Sequence, residues 1–437
     1  MARYGQPLPA VDGDPIRGAG TTRLIEFPNC FPSSFPKYFD FKHINCQKVA
    51  TFWQLMYAFA MKRYLDDLVL NDLATKAVVL TGPRQVGKTT LSRQVMQSFA
   101  NAQYLNWDVL PDRAILQRQS WNPRAGLLVM DEIHKMPNWK AWLKGVADGR
   151  LAGQALLVTG SARMETFRQA GDSLAGRYFS FRLHPLSVRE WCAQTGAEPA
   201  AALDHLLARG GFPEPCLAAD PIQADRWRAQ YFTDLIREDV LEFSRLQEIN
   251  TMRLFVELLR ERVGSPLSLA SIARDLAVAP ATLKRYLEIL QALFIVFTVH
   301  PWHRNVGRAI LQTPKVYFFD TGLVRGDQGV RLENAVAAML LKQAHFLQDS
   351  AGTEAGLHYI RTKDGAEVDF ALSAGGKLTQ LIECKWADNR PHHALARFAG
   401  QFAEADAVQI VFNLRQEENR HGIAIKDAAR WLGGLAA

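Results

Sequence analysis

Eight consecutive residues, GPRQVGKT at Gly82–Thr89, have the types and spacing of a phosphate-binding loop. Gly82 and Gly87 let the backbone curl, so that successive N–H groups and a helix N-terminus point at phosphate oxygens. Lys88 can reach the β and γ phosphates, and the Thr89 hydroxyl can bind Mg²⁺. The pattern follows the apolar run AVVL and opens a helical segment, which is the context it requires. The sequence therefore predicts binding of ATP with Mg²⁺.

Two adjacent acids end the apolar strand LLVM about forty residues later. We expect Asp131 to help hold the Mg²⁺ and Glu132 to act as the general base that polarises the attacking water. The alternative is that both acids are ordinary solvated residues at a strand end.

A third strand, ALLVTGS, ends at Ser161 and Arg163, from which polar side chains could sense the γ-phosphate or water. Arg177 is a candidate arginine finger, a cation that offsets charge on the transferred phosphoryl group. For both arginines a surface position or an ordinary ion pair is the alternative. The residues that we expect to bind nucleotide are Gly82, Pro83, Arg84, Gln85, Val86, Gly87, Lys88, Thr89, Thr90, Asp131 and Ser161.

A second group of acids lies in two C-terminal strands, AEVDFAL and LIECKW. Glu367 and Asp369 are two residues apart, as are Glu383 and Lys385, so each pair projects from one face of its strand. Asp369 and Glu383 could hold Mg²⁺ or Mn²⁺, while Lys385 positions a nucleophile or offsets charge, and Glu333 could join from the preceding helix. All three of Asp369, Glu383 and Lys385 are candidate catalytic residues. A strand-edge ion pair without a metal is the alternative.

The elements that position these residues fall into four regions. Alternating strands and helices predict a parallel sheet covered by helices around the phosphate loop. The C-terminal pattern of helix, three strands, helix and strand predicts a small, separate α/β domain. The regions are a poorly packed extension (1–60), a P-loop ATPase domain (61–200), a helical region (201–325) and the C-terminal domain (326–437).

The segment LSLASIARDLAVAPATLKRYLEIL predicts two helices with a turn near residues 277–279, and a β-prone run follows, which resembles a winged helix-turn-helix. Thr282, Lys284 and Arg285 would then face DNA. Four residues of the second helix have core spacing: Leu283, Tyr286, Leu287 and Leu290. A packing or switch module is the alternative to DNA contact.

The motifs GPRQVGKTTL, VMDEIHKMPNW, VTGSARM and SLAGRYF, in this order, resemble the AAA_14 group of prokaryotic P-loop ATPases. The C-terminal half resembles the DUF4143 region that usually accompanies it, and GGFPEP and YFFDTGL are also family-like. The resemblance implies an ATPase of the ASCE type, related to AAA and STAND switches. The C-terminal element order resembles a PD-(D/E)XK nuclease core, with Asp369 as the first acid and Glu383 to Lys385 as its E-x-K motif.

Composition limits the function classes. A formal charge of +7 slightly favours an anionic partner such as nucleic acid. Five scattered cysteines argue against a disulfide framework or a zinc site, and the absence of a long apolar run or secretory signal predicts a cytoplasmic protein without membrane contact. Residues 1–60 combine phenylalanines and prolines without a helical or strand period. Their composition is unlike that of the rest of the chain, and a misplaced start codon, with the native product beginning at Met61, would explain the difference.

Two hypotheses remain open. In the first, ATP turnover drives or gates contact with DNA, and the C-terminal domain cuts a phosphodiester. In the second, the chain is a regulatory ATPase switch whose nucleotide state alters oligomerisation or partner binding, and its nuclease-like domain is a non-catalytic binding module. A metabolite kinase is disfavoured because the chain has no evident acceptor-substrate domain. A homo-oligomer is compatible with either hypothesis.

Overall fold

A computed structural model describes residues 61–160, 176–235, 246–303 and 313–437. The N-terminal extension, Ser161 and Arg163 lie outside the described residues. Within the described ranges, no helix is both long enough and apolar enough to cross a membrane.

The N-terminal sheet has five parallel strands in the order β2-β3-β4-β1-β5. Its three central strands are buried along their whole length, as their continuous apolar runs predict. The strands are β1 (Ala77–Thr81), β2 (Gln103–Asn106), β3 (Leu127–Asp131), β4 (Ala155–Thr159) and β5 (Tyr178–Arg182). The helices are α1 (Asp66–Leu73), α2 (Lys88–Met96), α3 (Leu110–Arg118) and α4 (Trp139–Asp148). This is the P-loop NTPase fold that the sequence predicts.

Helices dominate the next region. They are α5 (Val188–Thr195), α6 (Pro199–Arg209), α7 (Pro213–Leu217), α8 (Pro221–Leu235), α9 (Leu246–Arg260), α10 (Leu269–Asp275) and α11 (Pro280–Ala292). The four residues of α11 with core spacing, Leu283, Tyr286, Leu287 and Leu290, are buried as expected. Lys284 and Arg285 are exposed on the same helix, and Thr282 is half-buried.

The second sheet has eight strands in the order β12-β13-β11-β10-β9-β8-β6-β7. The strands are β6 (Val296–Pro301), β7 (Lys315–Phe318), β8 (Ala355–Arg361), β9 (Glu367–Ala374), β10 (Lys377–Lys385), β11 (Asp406–Val411), β12 (Glu418–Arg420) and β13 (Ile423–Asp427). The helices are α12 (Gln328–Ala351), α13 (His393–Gln401) and α14 (Ala428–Gly433). The predicted order of helix, three strands, helix and strand is present from α12 to β11.

Two strands from the helical region, β6 and β7, extend the C-terminal sheet. His300 of β6 pairs with His358 of β8 in parallel, and β7 pairs with β6 in antiparallel orientation. The long helix α12 contacts β5 of the first sheet and β7 to β10 of the second. One hydrophobic core therefore runs through both sheets and the helices between them.

Candidate functional site

The phosphate loop adopts a backbone that requires glycine at its first position. Gly82 has a φ of 143°, and a Cβ atom there would lie 2.3 Å from the carbonyl oxygen of Leu183. Gly87 has a φ of 102° and immediately precedes α2. Since L side chains rarely adopt these φ values, the two glycines allow the loop to pass close to the segment after β5 and to enter the helix.

Lys88 folds back into the curl of the loop. Its Nζ donates to the carbonyl oxygens of Gly82 at 2.9 Å and of Pro83 at 2.5 Å. Burial lowers the pKa of Lys88 to about 8, against the opposing effect of Glu132 and Asp131. A desolvated ammonium held by carbonyl groups is placed to exchange these contacts for stronger ones with phosphate.

Thr89 and Asp131 meet at the carboxyl ends of the strands. Thr89 Oγ1 donates to Asp131 Oδ2 at 3.1 Å. Asp131 is only 4% exposed, and the hydroxyls of Thr159 and Tyr104 also donate to its carboxylate. A threonine hydroxyl and a carboxylate are hard oxygen ligands of the kind Mg²⁺ prefers, so these residues fit the metal that the P-loop implies.

Tyr104 was missed by the sequence analysis. It lies on β2, next to β3, and its contact with Asp131 depends on this strand order. Burial and the hydrogen bond to Asp131 both raise the pKa of the Tyr104 hydroxyl, so this hydroxyl stays protonated and remains a donor.

Glu132 has a left-handed backbone with a φ of 57°. Its N–H donates to the carbonyl oxygen of Thr159 at 3.1 Å. Burial raises the pKa of Glu132, while Lys135, whose Nζ lies 3.4 Å from Oε2, lowers it. A carboxylate with a raised pKa is a better proton acceptor, as a general base requires.

The helical region braces the outer part of the phosphate loop. Trp227 Nε1 donates to Gln85 Oε1 at 2.8 Å, and the Tyr231 hydroxyl donates to the carbonyl oxygen of Arg84 at 3.1 Å. The two aromatic rings stack with centroids 4.6 Å apart. Both belong to α8, and the sequence analysis gave them no role.

Arg177 lies at the amino end of β5. Its carbonyl oxygen accepts from the N–H of Ala77, the first residue of β1, whereas the phosphate loop follows the last residue of β1. Its Nε lies 2.6 Å from Asp148 Oδ1 in a partly exposed ion pair. Within one chain, Arg177 is therefore at the opposite end of the sheet from the phosphate loop.

The C-terminal acids are close together at β9 and β10. The N–H of Cys384 donates to Asp369 Oδ2 at 2.9 Å, and the N–H of Asp369 donates to Glu383 Oε2 at 3.3 Å. Lys385 Nζ lies 2.6 Å from Glu383 Oε1. Glu383 is 2% exposed, and burial, followed by the charge of Asp369, raises its pKa to about 8.

Lys315 on β7 adds a buried cation that the sequence analysis missed. Its Nζ lies 2.7 Å from Glu367 Oε1 and 3.4 Å from Glu333 Oε1. Burial and the charge of Asp369 raise the pKa of Glu333 to about 7, so Glu333 is electrostatically coupled to the same acids.

The fit of a metal to these acids depends on how many ligands the protein must supply. Among the described residues, no group of three or more His, Cys, Asp or Glu side chains is arranged to hold a metal ion. Mg²⁺ commonly uses one or two carboxylates and completes its shell with water and substrate phosphate. Asp369 and Glu383 fit that mode, and the raised pKa of Glu383, caused by burial and then by the charge of Asp369, reflects an acidic site that a cation would stabilise.

The segments GGFPEP and YFFDTGL meet at Arg228. Its Nε lies 2.9 Å from Asp320 Oδ2. A Cβ atom on Gly210 would lie 1.9 Å from Asp320 Oδ1, and one on Gly322 would lie 2.0 Å from Arg228 Nε. These motifs therefore form a close-packed junction between the helical region and the strand β7 that precedes the turn at Asp320.

Solved structures resemble the chain only distantly. The Aeropyrum pernix ORC1 protein in complex with DNA is 14% identical, with 62% of this chain and 91% of that chain covered and a TM-score of 0.32. The Thermotoga maritima RuvB Holliday junction branch migration motor is 17% identical, with 57% and 89% covered and a TM-score of 0.27. Similarity at this level supports no statement about function.

Sequence comparison is more informative. The AAA domain (AAA_14) matches residues 74–192, the domain of unknown function DUF8612 matches 200–331, and the domain of unknown function DUF4143 matches 328–427. The uncharacterized proteins Mb2031c of Mycobacterium bovis and Rv2008c of Mycobacterium tuberculosis are each 31% identical over 307 residues, which cover 69% of this chain and 68% of theirs. An uncharacterized protein of Haemophilus influenzae is 22% identical over 345 residues, with 71% and 82% covered. The chain therefore belongs to the same family as these mycobacterial proteins, an AAA-type ATPase family that carries a DUF4143 region after its AAA domain.

Proposed function

We propose that the protein is a Mg²⁺-dependent ATPase whose active site is the P-loop with Asp131 and Glu132. The observation that carries the proposal is the hydrogen bond of 3.1 Å from Thr89 Oγ1 to Asp131 Oδ2, beside the ammonium of Lys88. It brings a phosphate-binding cation and a pair of Mg²⁺ ligands to one edge of the sheet.

Each side chain has a separate task. Lys88 binds phosphate oxygens, and Thr89 and Asp131 hold Mg²⁺, which offsets charge on the β and γ phosphates when bound. The hydroxyls of Thr159 and Tyr104 orient the Asp131 carboxylate. Glu132 accepts a proton from the attacking water, for which its raised pKa suits it.

Two variants test these tasks. Lys88→Ala should weaken ATP binding because the lysine contacts phosphate in the ground state. Glu132→Gln should bind ATP normally but hydrolyse it roughly 10²- to 10⁴-fold more slowly, since the base acts on water. Nucleotide affinity by calorimetry and steady-state phosphate release separate the two effects. Turnover of Glu132→Gln at the wild-type rate would refute its role as the base.

A second candidate function is metal-dependent cleavage of DNA by the C-terminal domain. It is favoured by the cluster of Asp369, Glu383 and Lys385, in which a buried carboxylate with a raised pKa lies 2.6 Å from an ammonium. Asp369 and Glu383 would hold the ion, which activates water and stabilises the phosphate when bound. Lys385 would turn from Glu383 to the attacked phosphate. The exposed Lys284 and Arg285 of α11 could contact the DNA backbone.

Cleavage of single- and double-stranded DNA with Mg²⁺ or Mn²⁺ tests this second function. Asp369→Ala should lose metal binding and cleavage, whereas Lys385→Ala should keep the metal and lose mainly rate. Asp364→Ala is a matched control, because Asp364 is an exposed acid of the same domain, paired with Arg397. ATPase rates with and without DNA complete the test. An ATPase rate that DNA does not change, together with no cleavage of DNA and no metal binding by the C-terminal domain, would favour the regulatory switch.

A further inference from the structure

A buried lysine lies in the middle of α12, the helix that contacts both sheets. Lys342 is 1% exposed, and its Nζ forms an ion pair with Glu190 Oε2. The same ammonium donates to the carbonyl oxygen of Pro185 at 3.2 Å and to Ser187 Oγ at 3.2 Å. The contact partners belong to the segment after β5 and to the start of α5, so a residue of the DUF4143 region completes a charge cluster in the AAA region.

Glu190 connects this lysine to the phosphate loop. Its Oε1 accepts from Arg63 Nε at 2.8 Å. Arg63 Nη1 in turn donates to the carbonyl oxygen of Val86 at 2.9 Å, inside the phosphate loop, and Nη2 donates to that of His184 at 2.6 Å. Arg63 and Glu190 are 5% and 4% exposed, so water does not substitute for these bonds.

The Arg63 guanidinium thus holds the carbonyl oxygen of Val86 in the phosphate loop, and Glu190 is its buried carboxylate partner. Although burial alone would raise the pKa of Glu190, Arg63 and Lys342 lower it to about 2. Each oxygen of the Glu190 carboxylate contacts a different cation: Oε1 pairs with Arg63 and Oε2 pairs with Lys342. Without the lysine, Oε2 would keep only the N–H and the hydroxyl of Ser187, and the carboxylate would lose the cation that fixes its orientation on the side of α12.

We propose that Lys342 is a positioning residue of the ATP site, which holds the phosphate loop in its binding conformation through Glu190 and Arg63. The inference rests on the proposed binding of ATP. It means that the P-loop domain binds nucleotide at full affinity only while α12 is docked, and that bound nucleotide stabilises the docked helix by the same factor.

A second ion pair on α12 offers a matched control. Arg182 of β5 donates to Asp349 from Nε at 3.0 Å and from Nη2 at 2.7 Å, in a part-buried ion pair. It fastens the same helix to the same part of the AAA region, but through its own guanidinium instead of through Arg63. Asp349→Asn therefore removes one ion pair of the docked helix while Lys342 stays in contact with Glu190.

The test measures the affinity of the full chain for AMP-PNP with Mg²⁺ by calorimetry, together with steady-state ATP hydrolysis. Lys342→Met should raise the Kd and the KM for ATP roughly tenfold or more, with kcat at saturating ATP little changed. Lys342→Arg should restore most of the affinity because it keeps a cation near Glu190. Asp349→Asn should lower the melting temperature but leave the Kd within about twofold of wild type. Equal Kd values for Lys342→Met and wild type would overturn the proposal.

Hydrogen exchange on the wild-type chain covers the case in which Lys342→Met does not fold. AMP-PNP with Mg²⁺ should slow the exchange of amides around Lys342 in α12. Unchanged exchange there, in a protein that binds the nucleotide, would also overturn the proposal. A wild-type chain that bound no nucleotide would instead refute the proposed ATPase function, so the two failures are distinguishable.

Discussion

Arg228 and Asp320, which are 92 residues apart in the sequence, form a buried ion pair with 2.9 Å between Nε and Oδ2. The aspartate also accepts from the N–H of Gly322 at 3.0 Å, so it fixes the turn after β7 as well as the arginine. Helix α8 carries Arg228 and also Trp227, whose indole donates to Gln85 of the phosphate loop. The junction therefore connects the turn after β7 to the helix that braces the nucleotide site.

We predict that Asp320→Ala lowers the free energy of unfolding by about 3 kcal/mol, because the buried guanidinium loses its buried carboxylate partner and keeps only the exposed Asp225 and the carbonyl oxygen of Arg209. Asp225→Ala is the control. Asp225 pairs with the same arginine at 3.0 Å, but its side chain is 76% exposed, so the loss should stay below about 1 kcal/mol. Urea unfolding followed by circular dichroism measures both. Similar midpoints for the two variants would contradict the structural importance of the junction.

The second prediction concerns pH and Lys88. Burial lowers the pKa of Lys88 to about 8 in the free protein, and bound phosphates should raise it again because they favour the ammonium. At a pH between the pKa of Lys88 in the free protein and its pKa in the ATP complex, ATP binding is accompanied by uptake of a proton. ATP binding at about pH 9 should thus take up close to one proton, and at about pH 7 little, since the free lysine is then already charged. Affinity should fall as the pH rises above about 8.

Calorimetry in two buffers with different ionisation enthalpies counts the protons. Lys88→Arg is the control for this experiment, because a guanidinium remains protonated over the whole range. Equal proton uptake by the wild type and by Lys88→Arg at about pH 9 would show that another group titrates.

The third prediction is that Tyr104→Phe weakens the apparent affinity for Mg²⁺ in the ATPase assay roughly tenfold, because the hydroxyl orients the Asp131 carboxylate. The ring remains, so its packing near Arg93 is preserved. Nucleotide binding in the presence of EDTA should not change, since Lys88 is untouched. If the turnover of Tyr104→Phe depended on Mg²⁺ concentration in the same way as that of the wild type, this role of Tyr104 would be excluded.

The fourth prediction tests Arg177 as a finger supplied by a neighbouring subunit. Arg177→Ala should reduce turnover by about 10³-fold with little change in ATP affinity, and wild-type turnover per chain should rise with protein concentration. Asp148→Ala removes the ion pair of 2.6 Å but keeps the arginine, so it should retain activity. Equal losses in both variants would indicate a structural ion pair, and specific activity independent of concentration would contradict action between subunits.

The nucleotide site could be predicted largely from the sequence because its chemistry is local. A continuous run from Gly82 to Thr89 holds the groups that we propose to contact phosphate, and Asp131 and Glu132 follow directly from a buried strand. The buried face of α11 could also be predicted, since the helical spacing of its apolar residues is a property of the local sequence. The roles in ATP binding and hydrolysis assigned to the phosphate loop, Asp131, Glu132, Ser161 and Arg177 stay predictions. The roles of Asp369, Glu383 and Lys385 in metal binding and cleavage also stay predictions.

Tertiary structure alone decided which distant side chains join these local motifs. Tyr104 reaches Asp131 because β2 lies beside β3, and a parallel sheet does not reveal its strand order in the sequence. Lys342 reaches Glu190 across 152 residues of chain, only because α12 docks against the segment after β5. From the sequence, a lysine within a helix is expected to be exposed to solvent. Its charge is buried only where an acidic partner is present, and the local sequence does not identify a partner that lies far away in the chain. The sequence by itself determined the chemistry of the phosphate loop, whereas the packing of the helices and sheets determined what supports it.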